Sequence, residues 1–284
     1  MLAIVGTIPD EKFPLTGGIV SLKGKKITIR DWKVDVNRGT PAMIAAAIKT
    51  LEYMGESNPY CYLVGDIGSG VGSKRLYRHL TDQIAAEPFQ TLALHYFQPD
   101  VRLFKKFLTA IKTMPTQPRL IGDAGFMYVA KMGGDAPAFD LLTPDAGELA
   151  YLADEKSPHP FYTRGFILHE ENLVPDLIKR AYRHHNASTY MLVKGATDFI
   201  ADKNGIISTI DSPKVEVLEA IGGTGDTITG IVSALIASGL EIVTAAATAA
   251  KVNRLAGSFA APTPATQVAA IIQEIPRALE QVLG

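Results

Sequence analysis

Cysteine is almost absent from this chain: Cys61 is the single one in 284 residues. That excludes an intramolecular disulfide framework and a cysteine-rich metal site, and Cys61 reads as a small buried apolar residue beside a strand. Charge of one sign is not in excess either. The 28 basic and 29 acidic residues nearly cancel, so neither a nucleic-acid footprint nor a polybasic membrane anchor is present. Long apolar runs are missing too, and none reaches the roughly 18 residues that span a bilayer. The opening Met1–Gly6 is too short for a signal-peptide core and runs into Pro9-Asp10-Glu11-Lys12. The expectation is a cytoplasmic protein with no membrane and no nucleic acid among its partners.

Apolar residues make up 47% of the chain, enough to bury a large core. No repeat, low-complexity stretch or clear linker divides it, and we expect one domain over residues 1–284. The segment Lys156–Pro160 reads as a surface loop at most. Strand patterns at Ile27–Val36, Tyr60–Val64, Thr91–Leu94, Arg119–Gly122, Phe139–Leu142 and Tyr190–Val193 alternate with helical ones. The helical patterns cover Pro41–Tyr53, Ser73–Ala86, Val101–Met114, the start at Ala146–Leu152, and Asn172–His184. A hairpin is expected over Thr197–Asp202 and Gly205–Asp211, then three closing helices, Thr227–Ser238, Ile242–Phe259 and Thr266–Leu283. This alternation predicts an α/β fold, a mostly parallel sheet with helices on both faces. Ligands of such sheets bind outside the carboxyl ends of the strands.

The most informative stretch is Gly222-Gly223-Thr224-Gly225-Asp226, which opens directly into an apolar helix. First-turn amides without intrahelical partners, and the positive end of the helix dipole, make such a turn an anion trap. A carboxylate beside a phosphate is unfavourable unless it has a task, and the natural task for Asp226 is general base in phosphoryl transfer to a hydroxyl. Helix capping is the plain alternative. Other loops also fall after strands. Gly68-Ser69-Gly70-Val71-Gly72 could admit a ligand to the backbone or be a flexible turn; it fits neither the dinucleotide fingerprint nor the P-loop. Asp123 could bind a substrate hydroxyl or cap a helix. Glu148 could hold Mg²⁺ through water, or Asp145 and Glu148 could form a capping box. Lys194 could reach phosphates or be an exposed edge lysine. In Arg38-Gly39-Thr40-Pro41, Thr40 is a plausible N-cap and Arg38 could grip a phosphate. His184 and His185 suit a helix end, and His95, His159 and His169 have no partners at ligand spacing, so no structural zinc is expected.

Taken in order, Gly68–Gly72, Asp123-Ala124-Gly125, Leu142–Glu148, Val193-Lys194-Gly195 and Gly222–Asp226 resemble the motifs of the ADP/ATP-dependent NAD(P)H-hydrate dehydratases. That family belongs to the ribokinase-like superfamily, and the resemblance covers roughly residues 37–284. It implies a ribokinase-like three-layer sandwich that restores NADH or NADPH from its hydrate by phosphorylation and phosphate elimination. It also implies ATP or ADP as donor, with Mg²⁺. Asp226 would be the base, with Gly222, Gly223, Thr224 and Gly225 as the anion hole. Lys194, Gly195 and Thr197 would serve the nucleotide, Gly39, Thr40, Gly70, Asp123 and Asp145 the hydrate, and Glu148 the metal.

The chain departs from the family pattern on the acceptor side. Asp145-Ala146-Gly147-Glu148 replaces H-P-G-E, and Gly125 replaces the second acid of D-A-D. A small-molecule kinase acting on a sugar or vitamin-precursor hydroxyl, or a non-catalytic nucleotide-binding protein, are the alternatives. No epimerase segment is evident, so a partner epimerase would be a separate chain, and a homo-oligomer is expected.

Overall fold

The computed structural model describes residues 1–157 and 174–284. His159, His169, the end of the 156–160 loop and the first residues of the helix expected from Asn172 lie outside the described residues. The strands are β1 (Leu2–Ile8), β2 (Thr16–Lys23), β3 (Lys26–Ile29), β4 (Trp32–Asp35), β5 (Tyr60–Gly65), β6 (Thr91–Leu94), β7 (Arg119–Gly122), β8 (Leu141–Leu142), β9 (Tyr190–Val193), β10 (Asp198–Asp202) and β11 (Gly205–Ile210). They form one sheet in the order β11-β10-β9-β8-β7-β6-β1-β5-β2-β3-β4. The run from β9 through β5 is parallel, while β10 and β11 at one end, and β2, β3 and β4 at the other, pair antiparallel.

Strand β1 lies inside the sheet between β6 and β5, and all seven of its residues are buried. Leu2, Ile4 and Ile8 join the core on one face, Ala3 and Val5 the core on the other. A strand covered on both faces reads as a continuous apolar run rather than an alternation. The expected strand at Ile27–Val36 is two, β3 and β4, turning at Arg30 and Asp31. Strand β2 carries Gly17 and Gly18, poor strand formers that mask it in the sequence.

On the face of Leu2 and Ile4 pack α1 (Gly39–Tyr53), α7 (Thr224–Ala237), α8 (Ile242–Phe259), α9 (Val268–Gln273) and α10 (Ile275–Leu283). The other face holds α2 (Val71–Gln83), α3 (Val101–Lys112), α4 (Gly125–Gly133), α5 (Ala146–Ala153) and α6 (Val174–Arg183). The last helix expected at Thr266–Leu283 is thus two, with Pro276 in the first turn of α10. Helices α1 and α7 approach very closely: a Cβ at Gly230 would lie 2.2 Å from the Met43 carbonyl oxygen. That approach sets the two helix N-termini side by side. From β1 the chain builds β5 on one side and β6 on the other, so the order reverses at β1, the place where open α/β sheets bind ligands.

Candidate active site

Four parallel strands deliver polar residues to one edge. His95 follows β6, Asp123 follows β7, Thr143-Pro144-Asp145 follow β8, and Lys194 follows β9. Above them lie the N-termini of α1 and α7. Asp226, in the first turn of α7, accepts a hydrogen bond from the Gly39 N–H at 2.6 Å through Oδ2. Gly39 is the first residue of α1. One carboxylate therefore serves two helix N-termini, whose dipoles both favour negative charge. Its Oδ1 lies 3.0 Å from His95 Nε2. Burial pushes the Asp226 carboxyl up, but the hydrogen bond from His95, the Lys194 ammonium and the Gly39 amide outweigh it and hold the group below its ordinary value.

Thr40 is not the N-cap of α1. Arg38 holds that position without a side-chain bond, and Thr40 lies inside the first turn with its hydroxyl 3.0 Å from His95 Nδ1. His95 is fully buried. It escaped the sequence reading because its partners come from α1 and α7, distant in the chain. Its place directly after a strand was the signal that could have found it. His95, Asp123 and Asp226 present ligand atoms within 4.8 Å of one another; of these, His95 is hydrogen-bonded to Asp226 and stands 3.7 Å from Asp123 Oδ2.

Asp123 does not cap α4, whose N-cap is Ala124. Its carboxylate accepts the Ala124 N–H at 2.8 Å, two bonds from Lys194 Nζ and one from the Thr229 hydroxyl at 2.7 Å, and Thr229 in turn meets Thr143 at 3.0 Å. Burial works against the Lys194 charge, yet Asp123 and Glu148 hold the ammonium above its ordinary value. Lys194 is thus not an exposed edge residue. At Gly125 a side chain does not fit: a Cβ there would lie 2.0 Å from the Phe97 carbonyl oxygen.

Asp145 and Glu148 form the capping box of α5, with bonds of 2.8 and 2.9 Å. The bond to Asp145 N engages Oε2, one of the two Glu148 oxygens. Burial and the nearby Asp145 raise the Glu148 carboxyl above its ordinary value, while the Lys194 ammonium opposes them. A cavity of about 370 Å³ joins these groups; Arg38, Asp145, Glu148, Lys194, Gly223 and Asp226 are among its walls. Its far side is organised by Arg254 of α8, which bonds Asp198 at 2.7 Å and the Gly195 and Ala196 carbonyls at 2.9 Å. The sequence reading passed over Arg254, as it did Thr229. Thr197 flanks that loop outside the cavity wall.

The glycine-rich loop after β5 is already filled by an anion of the protein itself. The amides of Gly68, Gly70 and Ser73 and the Ser73 hydroxyl all donate to Asp66. Gly70 packs beside Gln98 with its N–H committed to Asp66.

The sequence model of the NAD(P)H-hydrate dehydratase family matches residues 101–277. An uncharacterized protein of Methanocaldococcus jannaschii is 42% identical over 242 residues, 85% of this chain and 100% of that one. The ADP-dependent (S)-NAD(P)H-hydrate dehydratase of Cenarchaeum symbiosum is 30% identical over 142 residues, half of this chain; the match spans 44% of that protein's length. Among solved structures, the ADP/ATP-dependent NAD(P)H-hydrate dehydratase of Bacillus subtilis, co-crystallized with ATP/Mg²⁺, superposes with a TM-score of 0.57. It is 15% identical and is matched over 99% of this chain and 89% of that one, a likeness of fold. From the matched span and the arrangement of the strand-end loops, the chain belongs to the NAD(P)H-hydrate dehydratase family, with a ribokinase-like α/β fold.

Proposed function

We propose that this chain uses ATP or ADP to dehydrate NADH or NADPH hydrate. Asp226 takes the proton of the hydrate hydroxyl, that oxygen attacks the terminal phosphorus, and the nucleotide leaves one phosphoryl shorter. The C–O bond to the new phosphate then breaks as the neighbouring carbon loses a proton, which restores the nicotinamide ring. The observation that carries this reading is the setting of Asp226, an ionised carboxylate beside the first-turn amides of α7 and at the mouth of a cavity. A base for phosphoryl transfer must be unprotonated and lie next to the path of the phosphoryl group.

In this reading the amides of Gly223, Thr224 and Gly225, reached through Gly222, form the anion hole. Lys194, Gly195 and Thr197 serve the nucleotide, and Gly39, Asp123 and Asp145 border the acceptor. Thr40 and Gly70 support that side through His95 and Asp66. Seven acidic residues border the cavity, Asp123, Asp145, Glu148 and Asp226 among them, so an anionic nucleotide needs a divalent cation there. The oxygen donors of Asp145 and Glu148 suit Mg²⁺. Glu148 would hold it through water, and when bound it supplies positive charge to the phosphates. We assign residues 1–284 to one such domain and place it in the cytoplasm. A homo-oligomer is expected; light scattering on the purified protein reads this directly, and a monomer mass overturns it. Among the described residues no helix is long and apolar enough to cross a membrane.

The test follows the 340 nm absorbance of NADH hydrate mixed with the protein, Mg²⁺ and either nucleotide. Recovery that depends on nucleotide and disappears in Asp226→Asn, with nucleotide binding retained, supports the reading and names the donor. No recovery in the wild-type protein sinks it and turns the search to small alcohols as kinase substrates.

A further inference from the structure

We propose that Thr40, His95 and Asp226 form a directional hydrogen-bond relay in which Thr40 sets the tautomer of His95 and His95 orients Asp226. The inference rests on Asp226 being the base of the proposed reaction, and it makes Thr40 and His95 positioning residues for that base.

The direction of the relay follows from donor and acceptor chemistry. An ionised carboxylate can only accept hydrogen bonds. His95 Nε2, 3.0 Å from Asp226 Oδ1, must then carry the proton. A neutral imidazole protonated at Nε2 has an acceptor at Nδ1. The group facing Nδ1 is the Thr40 hydroxyl at 3.0 Å, which can donate. The ring is fully buried and Thr40 nearly so, so water does not compete for either bond. Tyr96 packs edge-on against the ring with centroids 4.5 Å apart, which limits its rotation. Asp123 Oδ2, at 3.7 Å from Nε2, lies beyond hydrogen-bond reach, and its own donors are Lys194 and Thr229. The ring is therefore aimed at Asp226.

The consequence lies in how Asp226 is held. The Gly39 N–H grips Oδ2 and His95 grips Oδ1, and Gly39 and Thr40 are adjacent in α1. One helix turn thus fixes the base twice, once directly and once through His95. With both oxygens gripped, the carboxylate cannot rotate, and its remaining lone pairs keep one orientation toward the cavity. The proton removed from the acceptor hydroxyl goes to Asp226. The Nε2–H bond to Oδ1 persists afterwards, so no proton need pass to His95. A third group that fixes ring tautomer and orientation is a recurrent device in proton-transfer sites. Here the order is reversed, with the carboxylate as base and the imidazole as its orienter.

The experiment has two arms. The first needs no turnover: imidazole ¹⁵N spectra of histidine-labelled protein, with His95 assigned by its disappearance in His95→Gln. The expected result is the Nε2–H tautomer in the wild type, with the Nδ1 signal moving in Thr40→Val and returning in Thr40→Ser. A wild-type ring protonated at Nδ1 overturns the relay even if the enzyme turns over. The second arm is kinetic. His95→Phe is expected to lower kcat by about 10²-fold, within the range of general-base effects, with the nucleotide KM changed less than about twofold. Thr40→Val should lower kcat by roughly tenfold, and Thr40→Ser should restore it. Circular dichroism and melting curves identify any variant that fails to fold, and Thr40→Ser against Thr40→Val then decides. Unchanged kcat in folded His95→Phe, or equal loss in kcat and in nucleotide affinity, overturns the proposal. A wild-type protein without turnover on hydrate or alcohols defeats the functional reading, while the spectra still decide the relay.

Discussion

Lys194 and Asp123 stand 71 positions apart in the chain, yet Lys194 Nζ lies 2.9 and 3.1 Å from the two Asp123 carboxylate oxygens. The side chains are 12% and 2% exposed, so the pair is desolvated. Taking away one partner of such a pair strands the other charge, at about 3–5 kcal/mol. Lys194→Met should therefore destabilise the protein by about that much, beyond its effect on nucleotide binding. The double variant with Asp123→Asn should regain part of the loss, because the stranded charge is gone. Urea midpoints of the two single variants and the double measure this coupling, and simple additivity would refute it.

One substitution separates the capping role of Glu148 from its proposed metal role. Glutamine can replace glutamate in a capping box, because its side-chain oxygen still accepts the N-cap amide. Glu148→Gln is expected to keep the melting temperature of the wild type while losing at least about tenfold in Mg²⁺-dependent turnover. A matched fall in stability would show that the cap, not the metal, was the main loss. Titrating Mg²⁺ against rate in both proteins distinguishes the two.

Acid should loosen the loop after β5. Burial pushes the Asp66 carboxyl up, but the Ser73 amide and hydroxyl and the Gly70 and Gly68 amides outweigh it and hold it below its ordinary 3.8. A depressed folded value means that the contribution to stability is present above 3.8 and is lost as pH falls through the lower folded value. Asp66→Asn should be less stable than wild type at neutral pH and lose less stability on acidification below about pH 4. Melting temperatures across that window provide the check, and parallel curves would contradict it.

Gly230 decides whether α1 can reach Asp226. A Cβ only 2.2 Å from the Met43 carbonyl oxygen forces the two helices apart. Gly230→Ala should cost about 1–3 kcal/mol through overpacking. It should also lower turnover, because the 2.6 Å bond from Gly39 to Asp226 depends on the same approach. Denaturant midpoints and kcat measured on the same preparation test both halves; a stable, fully active variant would disprove the link.

Much of the layout was legible before any coordinates. The alternation of strand and helix patterns, and the position of Asp123, Asp145, Lys194 and Asp226 just after or before such elements, follow from local periodicity and turn chemistry. The terminal antiparallel hairpin of β10 and β11 did as well, because its turn residues bracket two strand-like runs. Strand β1 was not, since a short apolar run buried on both faces carries no period. Helix α4 escaped because glycine stands at both of its ends.

The sequence by itself determined the fold class, the family motifs and the identity of the candidate base, because these rest on residue types at fixed local spacing. Only the tertiary structure decided what each motif residue touches. It gave Asp226 a second helix and a histidine, turned Lys194 from an edge residue into the partner of Asp123, and filled the glycine loop with Asp66. It also made both readings of Glu148 compatible, as a cap through one oxygen and a candidate metal holder beside the cavity. Those outcomes depend on which strands become neighbours and how closely α1 and α7 pack. Neighbours of that kind are set by burial over the whole chain, and no local pattern records them.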